Sequence, residues 1–252
     1  MSGHSKWSTI KRKKGAADAK RGQLFTRLAR EISIAAREGG GDPEANFRLR
    51  LAIDRARENN MPKENIERAI LRGTGEGKDG GGALEEVFYE GYASHGVALM
   101  IQCVTDNRNR AVADIRHILN RFGGSMAESG SVSWQFRRVA YFYFPAEEKD
   151  FERIFEITVE AGADDVTFED NYVEIIGPVE SFKEISERLG EAGFKFEEAG
   201  LRMVPTNEIE LSVEDTLQVL KVIESLEELD DVQDVYSNLR VTSEVLAMAE
   251  NA

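Results

Sequence analysis

The chain has little of what secreted, membrane-spanning and metal-binding proteins depend on. Its single cysteine, Cys103, cannot form a disulfide within the chain, so the sequence suits a reducing cytoplasm. Even its longest apolar runs, such as residues 97–101, fall far short of the roughly 20 residues that a membrane helix needs. The three histidines are isolated, and no CxxC or HxxxH spacing occurs. We therefore expect a cytoplasmic protein with no membrane association and no metal site.

The motifs of common enzyme classes are also missing. There is no G-x-S-x-G elbow, and no G-x-G-x-x-G follows a predicted strand. The glycine-rich stretch GTGEGKDGGG is not a phosphate-binding loop, because Lys78 precedes Asp79 rather than Ser or Thr. We expect no catalytic residue. A catalytic group assembled from distant positions is the open alternative, since sequence does not show spatial neighbours.

Positive charge is scarce overall and is concentrated at one end. The formal net charge is −14, yet residues 1–73 carry 17 basic and 9 acidic side chains, and the remainder carries 15 and 37. Clustered basic side chains displace counterions from phosphates, and Trp7 among them can stack on a base. The pattern predicts nucleic-acid binding, and a solvated tail with Trp7 against the body is the alternative. The basic residues of this end up to residue 27 are Lys6, Lys11, Arg12, Lys13, Lys14, Lys20, Arg21 and Arg27.

Helical spacing dominates this basic end. Apolar residues three and four apart predict a helix over residues 18–37, with arginines on the opposite side. A second helix is expected over residues 44–59, capped by Asp42 with Pro43 at its first position, and Pro62 opens a third. Residues 1–73 are thus predicted to combine the basic segment with a three-helix domain. A glycine-rich linker, residues 74–82, follows.

The hydrophobic period changes beyond the linker. Strands are predicted at residues 84–93, 97–105 and 131–136, with a helix over 108–122 between the last two. Residues 137–205 then show the βαββαβ order of a ferredoxin-like unit.

A strand at residues 208–211, a helix and a strand at 232–237 follow that unit. The last strand lacks a local partner, so we expect it to complete the sheet that begins near residue 84. The prediction is an α+β fold: a helical N-terminal domain, a discontinuous α+β domain (83–136 and 206–240), and an inserted ferredoxin-like domain (137–205). A separate C-terminal domain of about 35 residues is the alternative, but such a size seldom folds alone.

A polar run joins a buried strand to the helix over residues 108–122. Asp106 or Asn107 is expected to cap this helix. Arg108 and Arg110 are candidates for contacts with a partner's phosphates. The loop over residues 123–133, GGSMAESGSVS, is either a mobile contact loop or a connector.

Four stretches of the chain closely resemble the YebC/PmpR family. They are GHSKWSTIKRKKGAADAKRGQLFTRLAREI, NFRLRLAIDRARENNMPKENIERAI, YEGYASHGVALMIQCVTDNRNRA and GSVSWQF, and the similarity runs from residue 3 to about residue 237. The resemblance implies three domains around a concave acidic face, one α+β domain being inserted in the other. It implies neither catalytic activity nor a cofactor.

The function implied by this resemblance has two accounts. Bacterial members are described as DNA-binding transcriptional regulators. Others, including the mitochondrial translational activator of cytochrome c oxidase, are described as ribosome-associated factors that relieve stalling at consecutive prolines, with the basic segment reaching ribosomal RNA. The resemblance carries nucleic-acid binding to Lys6, Trp7, Lys11, Arg12, Lys13, Lys14, Lys20 and Arg21.

The expected partner is therefore DNA or ribosomal RNA. The sequence contains no DNA-reading motif with placed base contacts, which favours recognition of shape and backbone, so RNA fits at least as well as duplex DNA. The ribosome itself, or a basic protein such as a ribosomal protein at the acidic face, is a further candidate partner.

Overall fold

The computed structural model of the protein describes residues 19–76 and 84–251. These residues form two compact units: one is Phe136–Thr206, and the other consists of the described residues before and after it. The helices in chain order are α1 Ala19–Gly39, α2 Phe47–Glu58, α3 Lys63–Thr74, α4 Arg108–Arg121, α5 Glu148–Glu160, α6 Phe182–Glu191, α7 Val213–Glu227 and α8 Ser243–Asn251. The strands are β1 Glu85–Tyr92, β2 Ala98–Thr105, β3 Ser125–Met126, β4 Phe136–Pro145, β5 Asp165–Glu169, β6 Tyr172–Gly177, β7 Glu198–Pro205 and β8 Val232–Ser237.

Helices α1 to α3 pack around one apolar core, as their periodicity predicts. The core contains Leu28, Ile32, Leu49 and Ile66, all of which are buried. Gly73 lets α3 approach α1 closely, because a Cβ at this position would lie 2.3 Å from the Ser33 carbonyl oxygen. Helix α3 ends at Thr74, the first residue of the predicted linker, and residues 77–83 lie outside the described residues.

The predicted start of the second helix is wrong. Residues 43–45 form a turn, and α2 begins after Asn46 rather than at Pro43. The Asn46 amide explains the difference, since its Oδ1 accepts from the Leu49 N–H while its Nδ2 donates to the carbonyls of Ala35 and Gly40. One buried side chain thus caps α2 and ties it to the end of α1.

The larger unit contains an antiparallel sheet of order β3-β1-β2-β8. Strand β8 pairs with β2, as expected from its lack of a local partner, although 126 residues lie between the end of one and the start of the other. Helices α4 and α7 pack against the sheet, and the shared core includes Leu99, Ile101, Ile115, Leu119 and Ile223. Cys103 lies in this core as a fully buried thiol.

The unit Phe136–Thr206 has the strand order β5-β6-β4-β7, with all neighbours antiparallel. With α5 between β4 and β5, and α6 between β6 and β7, this is the predicted split βαβ arrangement. Its core is rich in phenylalanine, and the Phe142 and Phe182 rings stack at 5.1 Å. The α+β fold class is therefore confirmed. The exact domain boundaries stay predictions.

Two predicted strands are wrong. Residues 131–136 contain a single 3-10 turn, Ser133–Gln135, and β4 begins only at Phe136. The backbone N–H groups that a strand would use there are bound instead by the carboxylate of Glu90. Residues 208–211 form only an isolated bridge from Ile209 to Leu239.

Within residues 19–76 and 84–251, no helix combines the length and the apolar character that crossing a lipid bilayer demands.

Candidate nucleic-acid interface

Most of the predicted binding segment precedes the described residues. Lys6, Trp7, Lys11, Arg12, Lys13 and Lys14 lie outside them. Lys20 and Arg21 belong to α1, whose backbone is described at these positions. The predicted binding segment continues in sequence into α1. The contacts of α1 therefore anchor the C-terminal end of this segment.

Helix α1 binds the sheet of its own unit through arginines. Arg27 donates to the carbonyl of Gln233 and lies 3.8 Å from an Asp234 carboxylate oxygen. Arg37 donates to the carbonyl of Leu84. The sequence predicts that these arginines face away from the helical core, which they do, but that side of α1 contacts β8 and the start of β1. Arg27, a candidate for phosphate contact, thus has two intramolecular partners.

A cluster of charges lies at the centre of this contact; we call it the Asp231 cluster. It comprises Asp231, Arg30, Arg110, Asp106 and Arg72. The Asp231 side chain is 5% exposed, and its Oδ1 lies 2.8 Å from Nη1 of Arg30. Arg110 adds a two-pronged pair, with Nε to Oδ2 and Nη2 to Oδ1 both at 2.9 Å. Asp106 lies 3.0 Å from Arg110 and 3.5 Å from Arg72, which extends the cluster to α3.

The pKa values in this cluster follow from its geometry. Burial raises the pKa of Asp231, but the hydrogen bonds from Arg110 and the charge of Arg30 outweigh it, so the net pKa is lowered. The same hydrogen bonds, with Asp231 and Asp106, raise the pKa of Arg110. Both groups are therefore ionised at neutral pH, and Arg30 also donates to the Val104 carbonyl at 2.8 Å.

The two arginines predicted at the start of α4 have different surroundings. Asn107 caps α4 by accepting from the Arg110 N–H, which confirms the capping prediction. Arg108 pairs with Glu85 and keeps 63% of its side chain exposed, whereas Arg110 holds the buried Asp231. To contact Arg108, a phosphate would have to displace the exposed carboxylate of Glu85. To contact Arg110, it would have to displace the buried carboxylate of Asp231. Arg108 is thus better placed, and phosphate contact by either residue stays a prediction.

Trp134 is a second surface feature of the larger unit, and no sequence motif assigns it a role. Its side chain stands in solvent at 70% exposure, and its indole N–H donates to the Ser131 carbonyl at 2.9 Å. The loop beneath it surrounds Glu90, which is 7% exposed and accepts from the N–H groups of Gly130, Val132 and Ser133 at 2.7–3.0 Å. Burial opposes ionisation of Glu90, but these hydrogen bonds lower its pKa overall.

This geometry concerns only the last part of the loop over residues 123–133. The buried Glu90 carboxylate binds three N–H groups between Gly130 and Ser133 and so restrains that part, and the choice between a contact loop and a connector stays a prediction. Sequence reasoning missed the site because Glu90 and Val132 are 42 residues apart, and no spacing rule relates them. The only signal was the presence of both residues within stretches that resemble the family.

The described residues offer little for metal or nucleophilic chemistry. No group of three His, Cys, Asp or Glu side chains in the described ranges is arranged to hold a metal ion. His95 lies 3.4 Å from Asp215 on the surface of the larger unit. Burial, with the charge of Asp231 adding to it, raises the pKa of the Cys103 thiol to about 12, so this thiol is a core residue rather than a nucleophile.

The fold and these contacts define a class of α+β protein. Its helical N-terminal region follows a basic segment in the sequence and is bound through arginines to a four-stranded sheet. A second, ferredoxin-like unit belongs to the same chain. Residues 5–76 match the family model described as the TACO1/YebC protein N-terminal domain, and residues 84–239 match the TACO1/YebC second and third domain. The chain belongs to the TACO1/YebC family, which confirms the resemblance seen in the sequence.

Its relatives are similar over almost their whole length. The chain is 50% identical over 251 residues to a protein of Chlorobaculum tepidum, covering 99% of both chains. It is 50% identical over 244 residues to one of Geotalea uraniireducens, covering 97% of this chain and 98% of that one. Both are named probable transcriptional regulatory protein. A crystal structure of a conserved hypothetical protein from Aquifex aeolicus is 43% identical, with a TM-score of 0.82, covering 92% of this chain and 95% of that one.

Proposed function

We propose that this protein is a non-enzymatic regulator of gene expression that binds nucleic acid through the basic segment preceding α1. In this proposal it is a DNA-binding transcriptional regulator, as the names of its relatives suggest. The observation that carries the proposal is the separation of charge: residues 1–73 have a surplus of eight basic side chains, while the rest of the chain has a surplus of 22 acidic ones. Such a charge distribution directs the basic end of the chain toward a polyanion.

The contacts of the described arginines support the basic segment as the main binding element. Arg27, Arg30 and Arg37 bind carbonyl groups of the sheet, and Arg110 binds Asp231. These four are occupied in holding the unit together, so phosphate contacts fall mainly to Lys6, Lys11, Arg12, Lys13, Lys14, Lys20 and Arg21, with Arg108 as a further candidate.

A ribosome-associated translation factor that binds ribosomal RNA and relieves stalling at consecutive prolines is the alternative. It is favoured by the lack of a recognised DNA-reading motif in the sequence, because contacts between a run of lysines and the phosphate backbone suit RNA as well as DNA. Crosslinking the protein in cells and sequencing the bound nucleic acid separates the two. Promoter DNA supports transcription, and ribosomal RNA supports translation.

The binding element itself is tested by replacing Lys13 and Lys14 with Ala. Each contacted phosphate contributes about −0.7 to −0.9 to the slope of log affinity against log salt, so about four to six contacts give a slope of roughly −3 to −5. The double variant should weaken binding to all sequences alike and reduce this slope by up to about two.

The matched control replaces Lys149 and Lys183 with Ala, since both are exposed lysines of the ferredoxin-like unit that pair with glutamates. It removes the same charge and should leave affinity and slope unchanged. Equal effects from the two double variants would refute the assignment of binding to the N-terminal segment.

A further inference from the structure

We propose that Trp134 is a fixed stacking platform for one unpaired nucleobase. This inference rests on the proposed function, because it gives the nucleic acid a second contact on the larger unit. It adds a stacked base to the phosphate contacts that the basic segment makes.

The indole ring of Trp134 is unusually exposed. Of the large hydrophobic side chains in the described part of the chain, Trp134 is the most exposed at 70%; the others with marked exposure lie between 36% and 50%. Most tryptophan side chains are largely buried in folded proteins, and an exposed one gains its full hydrophobic stabilisation only when something covers it.

The exposed ring is also held in place by hydrogen bonds. Its N–H is bound to Ser131, and the Tyr92 hydroxyl lies 3.4 Å from the same carbonyl oxygen. The next residue in sequence is also held, because the Gln135 side chain accepts from Asn238 at 3.1 Å, and Asn238 accepts from the Ala98 N–H at 2.8 Å. The indole therefore loses little conformational freedom when a ligand stacks on it, which is the condition for an efficient contact.

The carboxylate of Glu90 holds the loop that carries Trp134. Its carboxylate is buried and accepts three N–H groups, together with a hydrogen bond from the Ser133 side chain. A buried ionised carboxylate is tolerated because these donors compensate its lost hydration. Its charge is directed inward toward the loop backbone, so it does not present a negative surface beside the ring.

The surroundings of the ring favour a base over a protein. Apart from the buried Val132, its neighbours in sequence from Gly130 to Gln135 are small or polar, so these residues present one exposed aromatic face and no other exposed apolar side chain. Protein hot spots sit among contacts that exclude water, whereas a base needs only one aromatic face.

Phe155 and Val159 on α5 provide the contrast. They too are exposed, at 45% and 47%, but lie one turn apart beside exposed Glu152 and Glu156. That acidic surface repels nucleic acid, and the loop around Trp134 lacks such a row of carboxylates.

The direct test uses fluorescence. The chain has two tryptophans, so W7F leaves Trp134 as the sole source of indole emission. A dye-labelled oligouridylate, the matching oligothymidylate and a duplex of equal length serve as probes, and anisotropy confirms saturation. Both single strands should quench the emission of Trp134, while the duplex should quench it little, because its bases are already stacked. Quenching by RNA alone would identify the 2′-hydroxyl as part of the site.

The second arm measures affinity. W134A should weaken binding of the single-stranded probes by about 5- to 150-fold and leave the salt slope unchanged, because stacking releases no ions. W134F keeps a ring and should lose far less. F155A is the matched control, since it removes another exposed aromatic side chain and should not change affinity.

Unchanged emission of the W7F protein at saturation, or full affinity of W134A, overturns the inference. Emission that responds only to an added protein would assign Trp134 to a protein interface and overturn it as well. A different result would refute the proposed function. It is an unchanged slope of log affinity against log salt after replacement of Lys13 and Lys14, independent of the results for Trp134.

Discussion

Replacing Asp231 with Ala should destabilise the larger unit far more than any surface ion pair would. The carboxylate forms three short contacts, one with Arg30 and two with Arg110, and lies at 5% exposure. Each charge-assisted hydrogen bond contributes about 1.5–3 kcal/mol, and burial of the carboxylate offsets part of that sum. The loss on truncation is larger than the net value of the pairs, because Arg30, at 13% exposure, keeps a charge without its counterion. We expect a loss of about 3–5 kcal/mol.

The assay is urea-induced unfolding followed by far-UV circular dichroism, with hydrogen exchange of α1 peptides to locate the weakened region. Asp234 is the matched control, because it also lies on the β8 side and faces an α1 arginine, but at 3.8 Å and 44% exposure. Asp234→Ala should cost no more than about 1 kcal/mol. If Asp231→Ala costs as little as Asp234→Ala, or if exchange in α1 does not increase, the view that this carboxylate holds α1 to the sheet is refuted.

The same carboxylate predicts how stability depends on pH. Because the pKa of Asp231 is lower in the folded state than its ordinary value near 3.8, its contribution is fully present above that value. It is lost as the pH falls through the folded-state pKa. The difference in unfolding free energy between the wild type and Asp231→Ala should therefore be constant near neutrality and should narrow below about pH 4.

Two further predictions concern the core and the linker. Cys103, fully buried and with its pKa raised to about 12, should resist iodoacetamide in the native protein at pH 8 and react completely in urea; rapid native alkylation would show that the core of the larger unit opens readily. Limited proteolysis should first cut within the glycine-rich residues 74–82, because glycine-rich segments fit protease active sites most easily. Earlier cleavage between residues 130 and 133 would contradict both this prediction and the restraint that Glu90 places on that segment.

The sequence alone was sufficient for the elements whose signals are local. The spacing of Phe25, Leu28 and Ile32, which are three and then four residues apart, predicted α1. The βαββαβ order predicted the ferredoxin-like unit that β4 to β7 form. The charge asymmetry that motivates the proposed function is likewise a property of composition. These features depend on neighbours within a few residues or on counts, and both can be read from a linear string.

Only the tertiary structure determined where long-range polar contacts form. Helix α2 begins later than predicted because the Asn46 side chain accepts from the Leu49 N–H and caps the helix there. The strand predicted at residues 131–136 does not form, because the Glu90 carboxylate binds backbone N–H groups of that segment. Asp231 and Arg30 are 201 positions apart, and neither carries a signal of its pairing. Burial makes such contacts strong, since a charge removed from water must find its partners in the fold, and the fold alone decides which partners come near.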